Sequence, residues 1–156
     1  MAFEDQILPH LDAAYNLARW LMRDPTAAED VVQEAMLRAL RFHGGLRGEA
    51  KPWLLRIVRN VAHASLAGRA ARATDEAMAE LVDPADDPEA ALARREGQDI
   101  LDRALAALPP ELRECLVLRE LEELSYREIA HVTDTPIGTV MSRLWRARRL
   151  LRGQAA

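Results

Sequence analysis

Apolar positions spaced three and four apart recur along most of the chain, and no stretch alternates with the period of two that a strand requires, so the pattern predicts helices throughout. From Asp5 to Met22, residues Ile7, Leu8, Leu11, Ala14, Tyr15, Ala18, Leu21 and Met22 predict one core helix. Asp24-Pro25-Thr26 breaks it and opens another, with Glu29 and Asp30 near the positive end of the new helix. Its inner face is Val31, Val32, Ala35, Met36, Ala39 and Leu40, and Asp30, Gln33, Glu34 and Arg38 form a polar ridge opposite. Phe42 to Pro52, with Gly44, Gly45 and Gly48, reads as a loop of unusual backbone freedom. A helix from Pro52 then turns Leu54, Leu55, Ile57, Val58, Val61, Ala62 and Leu66 toward the core, leaving Trp53, Arg56, Arg59, Asn60 and His63 on a second face.

The pattern lapses over residues 71–93, an acidic, Ala-rich stretch broken by Pro84 and Pro88, which reads as a linker with one helical turn around Met78 to Val82. About 22 residues span at most roughly 75 Å when extended, on the order of two turns of B-DNA at about 34 Å each. A second helical module begins at Arg94. One stripe is Ile100, Leu101, Ala104, Leu105 and Leu108; Pro109-Pro110 ends it, and Leu112, Cys115, Leu116, Leu118 and Leu121 make the next. The expected fold is therefore all-α, with two small helical domains, 1–70 and 94–153, joined by a flexible acidic linker over 71–93.

The last stretch is the most specific. Ser125 followed by Glu128 is a capping box that starts a short helix. Thr133-Asp134-Thr135 interrupts it at a residue that tolerates the left-handed conformation. Thr135-Pro136 restarts the chain with a good N-cap and a residue pre-set for the first helical position. In the final helix Ile137, Val140, Leu144, Ala147 and Leu151 share the buried face, and Thr139, Ser142, Arg143, Arg146 and Arg149 are expected to face outward. Two helices joined by a short turn, the second basic, form a helix-turn-helix layout. A merely solvated Arg-rich face has the same local pattern, and ordinary solvated helix surface equally fits the spacing of the ridge around Asp30.

Charge sharpens this reading. The net charge of −4 suits no nucleic-acid binder until it is resolved along the chain: residues 41–72 carry +6 and 136–156 carry +5, with −8 over 73–102 between them. On the 52–72 helix, Arg suits phosphates, Trp53 an unpaired base and Asn60 base edges. Taken singly, Trp53 also fits core packing and His63 a neutral surface residue. Cys115 is the single cysteine, which excludes an intrachain disulfide and a CxxC metal site. His10, His43, His63 and His131 lie apart without ligand spacing, so no catalytic residues, metal site or cofactor are expected. The chain has no apolar run long enough for a membrane span, and its acidic start lacks a signal-peptide pattern, so no membrane insertion is expected.

Three stretches, DPTAAEDVVQEAMLRALR, FHGGLRGEAKPWLLRIVRN and LPPELRECLVLRELEELSYREIAHVTDTPIGTVMSRLWRARRLLR, resemble bacterial sigma factors of the sigma-70 family, in its small two-domain extracytoplasmic-function group. The resemblance implies a non-enzymatic transcription initiation factor in the bacterial cytoplasm, associated with the nucleoid. Its implied partners are core RNA polymerase, promoter DNA and an anti-sigma factor. It assigns Asp30, Gln33, Glu34 and Arg38 to polymerase docking. Phe42, Arg47, Lys51, Trp53, Arg56, Arg59, Asn60 and His63 fall to the minus-10 element, and Thr139, Ser142, Arg143, Arg146 and Arg149 to the minus-35 element. Ala64 and the dilute basic stretch LAGRAAR depart from the family pattern and keep open a sigma-like decoy that binds an anti-sigma factor. A simple helix-turn-helix regulator is the other alternative.

Overall fold

The structure is a computed structural model that describes residues 2–75 and 99–155, and no strand occurs among them. The first predicted helix is divided. α1 (Phe3–Ile7) passes through a turn of 3-10 helix into α2 (Leu11–Met22). The break falls at Pro9, whose missing N–H cannot continue the ladder. Arg23 closes α2 in the left-handed conformation at φ 58°. Asp24 then caps α3 (Pro25–Phe42), its carboxylate accepting from the Thr26 amide at 3.1 Å with Pro25 at the first helical position. α4 (Ala50–Asp75) starts two residues before the expected Pro52 and continues past residue 70. It therefore takes up the first residues of the stretch read as a linker; the turn expected around Met78 to Val82 lies outside the described residues.

α2, α3 and α4 pack mutually. Leu17, Ala18, Leu21, Ala28, Val31, Ala35, Leu54, Leu55, Val58 and Ala62 are buried between them. The small residues among these, on every helix, let the backbones approach closely. Leu40, expected on the inner face, is instead 58 % exposed.

The second unit comprises α5 (Asp99–Ala107), α6 (Pro110–Leu116), a turn of π-helix at Val117–Leu121, α7 (Tyr126–Thr133) and α8 (Ile137–Ala155). In the widened turn the Glu122 amide donates a hydrogen bond to the Val117 carbonyl at 3.1 Å, five residues earlier. Leu105, Leu108, Leu112, Leu116, Leu118, Leu124, Ile129, Val132, Val140, Leu144 and Ala147 fill its core. Ile100 and Leu101, expected in the same stripe as Leu105, are 82 % and 53 % exposed.

The helix-turn-helix forms as its residues dictate. Ser125 Oγ accepts from the Glu128 amide at 3.1 Å, and the Glu128 carboxylate accepts from the Ser125 amide at 2.8 Å. Asp134 ends α7 at φ 52° and ψ 48°. Removing the cap exposes what it contributes: Ser125→Ala is expected to cost about 1 kcal/mol, read as a lower midpoint in urea denaturation with an unchanged slope.

The two units are not held apart. α4 packs against α7, and α2 against α6, so the second unit lies along the outer face of α4.

Candidate nucleic-acid and polymerase interfaces

On α3, Asp30, Gln33, Glu34 and Arg38 are all exposed, and Arg38 Nε donates to Glu34 Oε1 at 3.1 Å one turn away. Beside this ridge runs an apolar groove lined by Phe3, Leu11, Tyr15, Val32, Met36, Leu37 and Leu40, with Gln33 at its edge. Leu37 is 63 % exposed. The helical pattern concealed this groove, because residues such as Leu40 share spacing with the core positions and differ from them only in lacking a helix to cover them.

α3 gives way to a short 3-10 turn at His43–Gly45. Phe42 and Arg47 are exposed on this connection, and Gly48 has φ 72°, the left-handed backbone that favours glycine. The connection is tied to the N-terminus: His43 Nε2 lies 2.6 Å from Gln6 Oε1, and its ring meets Phe3 edge-on at 5.5 Å between centroids.

The outer face of α4 brings together the residues expected there, in company that the sequence did not announce. Lys51 Nζ donates to the Glu122 carbonyl at 2.7 Å and lies 3.4 Å from its carboxylate, which also accepts from Asn16 Nδ2 at 2.7 Å. Arg56 donates to the His131 carbonyl at 3.0 Å and reaches Asp134 at 3.9 Å. Arg59 Nε donates to Glu114 Oε1 at 2.6 Å, and His63 Nε2 is 3.4 Å from the same oxygen. Trp53 is half-buried against the core, whereas Asn60 is exposed. Arg56, Arg59 and His63 thus form one row, with Lys51 in the first turn of the same helix, and the second unit supplies the partners of all four.

Glu114 is the residue sequence reasoning missed. Its side chain is 1 % exposed on a helix read as a hydrophobic stripe. Burial alone pushes its carboxyl pKa up; the hydrogen bonds and charges of His63 and Arg59 more than offset that, and the net shift is downward. A lowered carboxyl pKa makes the contact fully present above the ordinary value of 4.5 and lost as the pH falls through the shifted one. Acidification below 4.5 is therefore expected to loosen the joint between the units. The check is the urea midpoint against pH, in which Glu114→Gln should remove that part of the slope.

On α8, Ser142, Arg146 and Arg149 are exposed and Thr139 is half-buried. Arg143 departs from expectation. It is half-buried, and its charge acts on the Cys115 thiol. Burial and the Glu114 charge raise that thiol to about 11, against the lowering effect of Arg143 and Arg59, leaving Cys115 inert. Trp145, not anticipated on this surface, is 59 % exposed, with the Arg149 guanidinium 5.2 Å from its ring centroid. Together with Met141, 52 % exposed, it gives the basic edge an apolar strip.

Among the described residues no group of three or more His, Cys, Asp or Glu is placed to hold a metal ion, and no helix is long and apolar enough to cross a membrane.

The comparisons with known proteins agree over both units. The sigma-70 region 2 family model matches residues 7–72, and the model for sigma-70, region 4 matches residues 98–151. The chain is 35 % identical to the RNA polymerase sigma-H factor of Pseudomonas aeruginosa over 96 % of its own length and 84 % of that protein's. It is 37 % identical to the ECF RNA polymerase sigma-E factor of Escherichia coli K12 over 78 % of its own length and 70 % of that protein's. Among solved structures, the sigma factor RpoE from Bartonella quintana, determined in complex with the anti-sigma factor NepR, superposes with a TM-score of 0.82 at 26 % identity, covering 98 % of this chain and 96 % of that one. Two helical units, a helix-turn-helix ending in a basic helix, and family matches to both units together show that this chain belongs to the sigma-70 family of RNA polymerase sigma factors, in the extracytoplasmic-function group, and is a non-enzymatic transcription initiation factor.

Proposed function

We propose that the two units divide promoter recognition between them, 1–70 taking the minus-10 element and 94–153 the minus-35 element, with 71–93 as the connection. The α3 ridge of Asp30, Gln33, Glu34 and Arg38, with the apolar groove that it borders, docks on core polymerase. The Phe42 and Arg47 connection captures an extruded base while α4 holds the melted strand. Catalysis belongs to the polymerase. This chain contributes differential binding, because contacts made only to unstacked bases stabilise the open promoter. Ser142, Arg146 and Arg149 read or grip the upstream duplex through the major groove.

The observation that carries the reading is α4, where Arg56, Arg59, the half-buried ring of Trp53 and the exposed amide of Asn60 fall within one arc of a single helix, with Lys51 in its first turn. Phosphate, base plane and base edge each find a matching group there. The factor then works in the cytoplasm, on the nucleoid, where polymerase and promoters are. An anti-sigma factor is a further proposed partner, supported by the Bartonella quintana sigma factor that was determined with one.

Run-off transcription with core polymerase tests the reading on a library of promoter fragments. Transcripts that start at defined positions only when the factor is present are expected. Factor-independent initiation across the whole library would overturn the assignment.

A further inference from the structure

The connection that follows α3 holds itself in shape only weakly. Gly44 and Gly45 carry no side chain to pack, nothing in the chain lies within 4 Å of where one would begin, and Gly48 adds a left-handed residue at φ 72°. Glycines lose the most conformational freedom when a loop takes one shape, so a fixed shape here needs support from elsewhere. Within the connection the Leu46 amide donates to the His43 carbonyl at 3.1 Å, and Arg47 donates to the carbonyl of its neighbour Leu46 at 3.3 Å. Both bonds are local.

α1 supplies a tie from outside. Gln6 Oε1 lies 2.6 Å from His43 Nε2, 37 residues away in sequence, and the Phe3 ring meets the same imidazole edge-on with centroids 5.5 Å apart. Phe3 and Gln6 stand one turn apart on α1, so the helix clasps the imidazole with two side chains. The clasp is anchored in turn, because Ile7 is fully buried and Phe3 packs against the core. His43 directly follows Phe42, which is exposed, and precedes the two glycines. Holding the imidazole therefore fixes the backbone from which Phe42 projects.

We propose that Gln6 and Phe3 are positioning residues for base capture: through His43 they hold the Phe42 to Arg47 connection in the shape that receives an extruded base, without touching DNA themselves. This rests on the reading of that connection as the capture site. The physical effect is preorganisation. A connection already shaped for its base loses less of the capture free energy to ordering, whereas a slack glycine backbone adapts to any base and prefers none. Phe3 also lines the apolar groove beside α3, so Gln6 is the side chain that isolates the effect.

The test uses holoenzyme assembled from core polymerase and the full chain. Open-complex yield is measured on a promoter fragment taken from the run-off library, with each of the four bases placed in turn at each non-template position of its minus-10 element. Wild type is expected to prefer one base at the captured position. Gln6→Met keeps a long unbranched side chain on α1 and removes the acceptor; it should lower that preference about fivefold, the net contribution of one hydrogen bond, with polymerase binding unchanged in a pull-down. Gln6→Glu returns an acceptor to the imidazole and should restore the preference. If Gln6→Met lowers the thermal midpoint, His43→Phe, which keeps a ring against Phe3 and removes Nε2, carries the same measurement under the same criteria. A preference that survives Gln6→Met, or is lost equally in Gln6→Met and Gln6→Glu, overturns the positioning role. Phe42→Ala separates this from a failure of the site itself. If it abolishes the preference while Gln6→Met keeps it, capture stands without the clasp; if it leaves the preference intact, the connection is not the capture site and the proposal falls with it.

Discussion

Asn60→Ala should lower open-complex formation about tenfold, as one lost base-edge contact worth about 1–3 kcal/mol implies, while leaving binding to fully double-stranded promoter DNA nearly unchanged. The difference between the two readouts is the point. Asn60 is exposed on α4, so its truncation removes nothing from the helix core. Its amide offers both donors and an acceptor, a combination that suits base edges and adds little at a phosphate. If α4 holds the melted strand as proposed, its base edges are reached only after the duplex is unpaired, so the loss is expected in melting. Permanganate reactivity of unpaired thymines, measured with polymerase holoenzyme, checks it. An unchanged melting signal would remove Asn60 from the site.

Arg59 differs from Asn60, because it also joins the two units through Glu114. Its side chain is 18 % exposed and holds Glu114 at 2.6 Å, so truncating it would abandon a buried carboxylate as well as any phosphate contact. A loss of function in an Arg59 variant is therefore ambiguous in a way that a loss at Asn60 is not.

Much of the fold was legible because it is local. The capping box at Ser125 and Glu128 and the left-handed turn at Asp134 are properties of a few adjacent residues, and each forms as the residue types require. Where the reading failed, the missing information was long-range. Periodicity assigns a face to Leu40, Ile100 and Leu101, but only the presence of a neighbouring helix decides whether that face is covered. The division of the first helix at Pro9 was visible in principle; the continuous apolar stripe outweighed it. For the site, the residue types on α4 were readable from spacing, yet their partners come from positions 51 (His63 to Glu114) to 78 (Arg56 to Asp134) residues away in sequence. Glu114 in particular looked like a polar interruption in a stripe of leucines, and nothing in its own neighbourhood announces that it meets Arg59.

Arg143 shows the same limit in the second unit, and it changes which variant tests minus-35 recognition. Arg143 and Arg146 lie three residues apart on α8, yet Arg143 is half-buried and Arg146 is exposed. Arg146→Ala is expected to weaken binding to a minus-35 duplex about tenfold and to relax preference at one base pair, as removal of a bidentate base contact does. Arg149→Ala should instead weaken binding more evenly across sequences and reduce the salt dependence by about 0.9 in the log–log slope. Both should leave core-polymerase binding intact, because the α3 ridge and groove proposed to dock on polymerase lie in the other unit. Arg143→Ala, by contrast, is expected to lower the thermal midpoint as well, since it removes a half-buried side chain from the packing of α8 on α6. Electrophoretic mobility shifts on a minus-35 duplex, a polymerase pull-down and a thermal melt distinguish the three arginines. Equal loss of duplex and polymerase binding in Arg146→Ala would mean that α8 serves the fold rather than the promoter.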